Sequence, residues 1–367
     1  QNTGFRETLI VRIDILIEYA MRAAEKGIIP DKLIRFGVRR LLARRLQDIQ
    51  SSSVESFSKA VSEFVADMSC APIAVHTDKA NEQHYEVPEA FYEKVLGARL
   101  KYSCGLWKDG EGTLDDAEIA ALKDTCKFAQ IYNGQKILEL GCGWGSLSLW
   151  MAEQYPGSTI LAVSNSFSQV NYINHRIEEL GLKNITVLTR DMNDFEAEAE
   201  SYDRVVSVEM FEHMRNYSAL YGKISNWLVQ DGIFFKHIFV HRQVPYLFKV
   251  EGSNDWMSRH FFSGGMMPSF ELPLMHQSHL QLLDRQVWDG VNYAKTSNAW
   301  LVKMDKHRDE LLLLFRDVYG VTEASIWWQR WRIFFMACAE LFAFRDGQEW
   351  WVAHYLFNKK AKAPSWE

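Results

Sequence analysis

Apolar positions recur at helical spacing over Thr8–Lys26 and Lys32–Gln50, parted by Gly27 and Pro30. A polar joint at Ser51–Ser53 precedes a third such stretch, Val54–Met68. The pattern predicts a helical first zone over residues 1–70. From about residue 118 the period changes. Short apolar runs at Lys136–Leu140, Thr159–Val163, Ile185–Thr189, Arg204–Glu209 and Gly232–His237 alternate with helical stretches, as in a parallel sheet with crossover helices. Beyond residue 240, helical patterns mix with aromatic-rich turns and end in a strand-like run, Trp350–Phe357. Three parts are expected. Residues 1–117 form a helical N-terminal extension and cap, 118–240 an α/β core, and 241–367 a substrate-covering insertion with closing strands of the core sheet. Leu9–Ala23 is interrupted by Arg12, Asp14, Glu18 and Arg22 and lacks a small-residue cleavage pattern, so it reads as helix and not as a signal peptide.

Composition changes this picture little. The chain is 47% hydrophobic and 24% charged, as ordinary globular proteins are. Its 41 basic and 47 acidic side chains leave a net charge of −6, which gives no general case for nucleic-acid binding. The 13 tryptophans gather in the C-terminal half and predict large apolar pockets or an aromatic core there. Cys70, Cys104, Cys126, Cys142 and Cys338 are scattered, with no Cys-x-x-Cys pair. Neither a metal site nor a disulfide framework is expected, and a reducing, cytoplasmic setting is the simplest reading. No run of about 18 uncharged apolar residues is present to span a bilayer. Lys32, Arg35, Arg39, Arg40, Arg44 and Arg45 share one stretch with no acid among them. It reads either as a peripheral contact to an anionic membrane or as a solvated helix face.

Candidate chemistry begins at Lys136-Ile-Leu-Glu-Leu-Gly-Cys-Gly-Trp-Gly145, where a strand runs into glycines and then a helix. Gly141, Gly143 and Gly145 let the backbone turn sharply and approach a ligand, and the helix start offers free N–H groups. The Glu-x-Gly-x-Gly-x-Gly spacing resembles the first motif of class I S-adenosylmethionine methyltransferases. That resemblance implies an α/β, Rossmann-like class I methyltransferase sheet with a helical N-terminal extension and helical, aromatic-rich substrate-covering insertions. Many such enzymes carry an acid after the second strand to bind ribose. This chain has Ser164 and Asn165 there instead. Asp191 follows the third strand, where such folds set an acid against the adenine amino group, with Met192 covering the ring.

Further stretches carry a narrower resemblance: His84-Tyr-Glu-Val-Pro88, Lys101-Tyr-Ser-Cys-Gly-Leu-Trp107, Val208-Glu-Met-Phe-Glu-His-Met214 and His260-Phe-Phe-Ser-Gly-Gly265. The chain resembles the cyclopropane-fatty-acyl-phospholipid synthase group, which includes the coclaurine N-methyltransferases. The resemblance implies that Tyr102, Ser103, Gly141, Gly143, Ser164, Asn165, Gln169 and Val208 meet S-adenosylmethionine, with S-adenosylhomocysteine as product. The lipid enzymes use a bound bicarbonate, whose holders correspond here to Cys104, Glu212, His237 and Tyr293. They carry glycine at the place of Glu209, whereas the amine branch carries glutamate, giving Glu-x-x-Glu-His as in Glu209, Glu212 and His213. Asp255-Trp256, Glu340-Leu-Phe342 and Glu349-Trp-Trp-Val-Ala-His354 also favour the amine branch.

The expected function is therefore methylation of a small aryl-alkyl or isoquinoline-type amine. A carboxylate pair attracts the ammonium, and an acid–base group takes its proton. Catalytic work falls to Glu209, Glu212 and His213. Substrate contacts fall to Cys104, His237, Trp256, Phe261, Tyr293 and Trp331. Glu209 and Glu212 also read as an ion-paired cluster with Arg204 or Arg215, and the aromatics as core. The alternative is a bicarbonate-dependent lipid enzyme, and a homodimer is compatible with either.

Overall fold

A computed structural model describes residues 18–75, 87–108, 112–249 and 255–360. The chain is helical over 18–25, and residues 8–17 of the first expected helix lie outside the described residues, as do His84–Glu86. Two long helices follow, α1 (Asp31–Ile49) and α2 (Val54–Cys70), then α3 (Glu89–Val95) and α4 (Leu114–Phe128). Ser53 caps α2 by accepting from the Ser56 N–H, and Thr113 caps α4 by accepting from that of Asp116.

The α/β part then alternates as its apolar runs predict: β1 (Lys136–Leu140), α5 (Ser146–Gln154), β2 (Thr159–Ser164), α6 (Phe167–Leu180), β3 (Ile185–Thr189), β4 (Tyr202–Val208), α7 (Tyr217–Trp227) and β5 (Leu228–His241). A short ribbon of β6 (Tyr246–Leu247) and β7 (Met266–Met267) brackets α8 (Trp256–His260). The chain closes with β8 (Leu280–Trp288), α9 (Gly290–Lys306), α10 (Arg308–Tyr319), α11 (Ala324–Ala343) and β9 (Trp350–Lys359).

Among the described residues the main sheet has seven strands in the order β3-β2-β1-β4-β5-β9-β8. The first five are parallel, and β9 and β8 pair antiparallel. Helices cover both faces. Leu122, Trp150 and Ile173 from α4, α5 and α6 pack on one face; Met68, Tyr221 and Ile224 from α2 and α7 pack on the other. Burial on both sides explains why these strands read as continuous apolar runs. Strand β8 escapes that signal. It lies at the sheet edge with mostly exposed side chains, and its alternation is broken by a register shift between Leu282 and Asp284.

Trp256, Phe261 and Trp331 fill the core under α9–α11; the Phe261 ring lies 4.4 Å from Phe334 and 5.0 Å from Trp331. On α1, Arg35 donates to Glu340 and Asn298, Arg39 donates to Glu340, and Arg45 stands over the Tyr246 ring. Lys32, Arg40 and Arg44 remain exposed on the outer face. No helix among the described residues is long and apolar enough to cross a membrane.

Candidate active site

The order of the parallel strands reverses between β1 and β4, and a cavity opens at the carboxyl ends of the strands there. Gly141 and Gly145 adopt φ of +76° and +81°, and a Cβ on them would lie 2.7 Å from Met210 and 2.8 Å from Ile173. Only glycine suits such a backbone at such close approach. Gly141, Gly143, Ser164, Asn165, Gln169, Met192, Val208, Tyr102 and Ser103 all line this cavity. Ser164 donates to Gln169 Oε1 at 2.7 Å, which leaves Gln169 Nε2 buried with no partner among the described residues. Asp191 is not in the lining. Its carboxylate accepts from the Asn193 N–H at 2.7 Å, which turns it into the loop while Arg190 and Met192 face the cavity.

Three titratable lining residues were given no role from the sequence. Glu139 on β1 is buried beside the Ser148 hydroxyl, and burial pushes its carboxyl up to about 8. Lys101 is buried and donates to Ser103 Oγ and the Cys104 carbonyl at 2.6 and 2.8 Å. Burial lowers its pKa, and the Glu209 carboxylate pulls it back up. Arg190 is the third. Lys101 lies at the start of the Lys101–Trp107 stretch, two residues after Arg99.

The loop bearing Lys101 is held by Glu118 on α4. Its buried carboxylate accepts from the N–H groups of Gly97, Arg99 and Lys101 at 2.9, 2.8 and 3.3 Å. Burial nonetheless raises its pKa to about 7. Replacing Glu118 by alanine strands these donors, and we expect a loss of about 3 kcal/mol or more in denaturant unfolding, with weakened ligand binding at the cavity.

Glu209 follows β4 directly, at φ of +50°, a left-handed conformation that a non-glycine residue adopts at a cost. Three polar groups converge on its carboxylate. The Cys104 N–H and His237 Nε2 reach Oε1 at 2.9 and 3.0 Å, and the Tyr293 hydroxyl donates to Oε2 at 2.6 Å. Burial raises its pKa, opposed first by Lys101 and then by the Cys104 N–H and the Tyr293 hydroxyl. Glu209 and His213 both line the cavity. Burial lowers the His213 pKa to about 4, so its imidazole is neutral near pH 7.

Glu212 departs from expectation. It is fully buried outside the lining, and its Oε1 accepts from the Phe239 N–H at 2.8 Å. Burial, reinforced by Glu209, drives its carboxyl well up. The left-handed turn at Glu209 and the 3₁₀ turn Phe211–His213 send the two carboxylates in different directions. Neither pairs with the nearby arginines: Arg204 donates to the Ala129 and Gln130 carbonyls, and Arg215 to that of Gly264. Cys104 places its backbone, not its thiol, in the site. The thiol donates to the Gly105 carbonyl, and burial holds it well above the usual range. Among the described residues no cluster of metal-binding side chains occurs.

Comparison with known proteins places this geometry. Residues 75–350 match the mycolic acid cyclopropane synthetase family. The chain is 33% identical to (S)-coclaurine N-methyltransferase of Thalictrum flavum subsp. glaucum, over 94% of this chain and 96% of that one. It superposes with a TM-score of 0.89 on the crystal structure of coclaurine N-methyltransferase bound to N-methylheliamine and S-adenosylhomocysteine, at 33% identity, covering 93% of this chain and 99% of that one. The cyclopropane synthase MmaA2 of Mycobacterium tuberculosis shares the fold, with a TM-score of 0.66 at 21% identity, covering 78% of this chain and 99% of that one.

Proposed function

The chain belongs to the mycolic acid cyclopropane synthetase family, and on that premise we propose that it methylates the nitrogen of a small aryl-alkyl or isoquinoline-type amine. It is an S-adenosylmethionine-dependent N-methyltransferase. When bound, S-adenosylmethionine supplies an electrophilic methyl group, taken in line by the amine nitrogen, and leaves as S-adenosylhomocysteine. Gly141, Gly143, Ser164, Asn165, Gln169 and Met192 would hold it, with Tyr102, Ser103 and Val208 closing the cavity. The buried, unpartnered Gln169 Nε2 fits a hydrogen bond to such a ligand.

One observation carries the choice of amine over lipid. The Glu209 carboxylate fills the space between the Cys104 N–H, His237 and Tyr293. These are three of the four residues that correspond to the bicarbonate holders of the lipid enzymes. An anion that is part of the chain replaces a diffusible one. Glu209 attracts and orients the substrate ammonium. Neutral His213, whose basicity burial lowers and the Glu209 carboxylate raises again, takes its proton as the lone pair is freed. Lys101, buried beside Glu209, favours its ionised form. Glu212 anchors the Phe239 backbone and takes no proton from substrate. The apolar walls of Trp144, Leu147, Met210 and Met214 exclude water and hold the reactants together.

The test uses methyl-labelled S-adenosylmethionine with tetrahydroisoquinoline and phenethylamine probes, and in parallel with vesicles of unsaturated phospholipid, with and without bicarbonate. Label in an amine, indifferent to bicarbonate, is the expected result. Bicarbonate-dependent label in lipid overturns the reading. The vesicle arm also tests the outer face of α1, where Lys32, Arg40 and Arg44 stand exposed beside Leu33 and Phe36.

A further inference from the structure

A Cβ on Gly105 would lie 3.1 Å from both Ala117 Cβ on α4 and Thr296 Oγ1 on α9, so the chain from Cys104 to Trp107 is threaded tightly between those helices. Leu106 donates its N–H to the Ala117 carbonyl at 3.0 Å. On the α9 side, Asn292 Oδ1 accepts from the Trp107 N–H at 2.8 Å. Thr296 is buried, and its hydroxyl gives its proton to the Asn292 carbonyl one turn earlier, at 2.8 Å. Both lone pairs are left for the threaded segment. They accept from the Gly105 N–H at 3.1 Å and from Trp107 Nε1–H at 2.9 Å. One donor and two acceptor sites are all that a hydroxyl has, and here all three are used.

The consequence falls on Glu209. The planar peptide between Cys104 and Gly105 is held at both edges: Lys101 Nζ donates to its carbonyl at 2.8 Å, and its N–H goes to Thr296. That hold fixes the Cys104 backbone, whose own N–H donates to Glu209 Oε1 at 2.9 Å. Tyr293 lies one turn before Thr296 on α9, and its hydroxyl donates to Oε2 at 2.6 Å. We propose that Thr296 is a positioning residue for the amine reaction: it sets the Cys104–Gly105 peptide so that the Cys104 N–H stays on the Glu209 carboxylate. Helix α9 thereby governs a donor to each carboxylate oxygen, Tyr293 directly and Cys104 through Thr296. Removing the hydroxyl leaves the buried Gly105 N–H without an acceptor. The peptide then turns to find another, the Cys104 N–H leaves Glu209, and the proton affinity of the carboxyl rises. The other titratable groups facing Glu209 are Lys101, Glu212, His213, His237 and Cys338, and a change at Thr296 alters none of them.

The proposal rests on the amine-methylating reading, and its test separates the two. Thr296→Val keeps the shape and removes the hydroxyl, whereas Thr296→Ser keeps all three bonds. Trp107→Phe removes one partner of the hydroxyl and leaves the Gly105 bond. In substrate-free protein carrying glutamate with ¹³C at the side-chain carboxyl, the NMR signal missing from Glu209→Gln reports the Glu209 titration. Thr296→Val should raise that pKa by about one pH unit. Thr296→Ser and Trp107→Phe should leave it at the parent value. With tetrahydroisoquinoline as probe, Thr296→Val should lose ~10-fold in kcat/KM on the acid side, where the carboxyl is now protonated. KM should rise more than kcat falls, because Glu209 draws the ammonium in. Where Thr296→Val folds poorly, Thr296→Ala takes its place with the same expectation. An unchanged Glu209 titration in whichever of the two folds overturns the proposal, as does an equal shift in Thr296→Ser or Trp107→Phe. A parent that methylates no amine, with the shift in Thr296→Val still present, overturns the amine reading and leaves the hold on Glu209 standing.

Discussion

Glu209→Gly should lose about 10²-fold or more in amine methylation, because the group that binds and orients the reacting ammonium is removed, while the protein stays folded. The two halves of this expectation have separate causes. At φ of +50° a glutamate bears a left-handed backbone cost that glycine does not, worth about 1–2 kcal/mol. The substitution also removes a buried carboxylate whose pKa burial already raises. Against these gains, the Cys104 N–H, the Tyr293 hydroxyl and His237 lose their shared acceptor. The space vacated is carboxylate-sized and open to the cavity, so water or a small anion can satisfy them. Unfolding free energy should therefore stay within about 2 kcal/mol of the parent. Formate or bicarbonate added to Glu209→Gly should recover part of the rate and leave the parent unaffected. Initial rates with labelled S-adenosylmethionine, beside a thermal melt, check both halves. Full activity in Glu209→Gly would show that the carboxylate is structural.

Gly290→Ala should be the most damaging glycine substitution outside the cofactor loop. A Cβ there would stand 2.2 Å from the Phe342 carbonyl and 2.2 Å from that of Trp350. Both are backbone atoms, one at the end of α11 and one at the start of β9, so no side chain can swing away. The Gly290 N–H also donates to the Gly347 carbonyl at 3.0 Å. We expect a loss above about 4 kcal/mol, or insoluble protein. Any folded fraction should be poorly active, because α9 carries Tyr293 against Glu209 and Thr296 against the Gly105 N–H. Gly37→Ala is the contrast. It lies within α1 with nothing within 4 Å of its Cβ position, and should raise stability by about 0.5–1 kcal/mol. Thermal melts of the pair measure packing against helix propensity in one protein.

The parallel half of the sheet was legible because its signal is local. Strands β1 and β3 begin and end where their apolar runs do, and the glycine loop follows β1 as its spacing demands. The edge strand β8 was missed because half-exposed strands lack a continuous run and a bulge breaks the alternation. The aromatics illustrate the same limit from the other side. Trp256, Phe261 and Trp331 are large and apolar whether they face a ligand or a core, and packing alone sends them to the core.

The sequence by itself determined the residue types of the site and the cofactor turn. Glu209, Glu212 and His213 stand within five positions, so their presence could be read directly. Which of them meets the cavity could not. That was decided by the left-handed backbone at Glu209 and the 3₁₀ turn after it, which send Glu209 and His213 inward and Glu212 to the Phe239 backbone. Only the tertiary structure decided what surrounds Glu209. Its partners come from 28, 84 and 105 residues away. Periodicity reports which way a side chain points within its own element. The meeting of distant elements, and the burial that moves the pKa of every group they bring together, is a property of the packed chain.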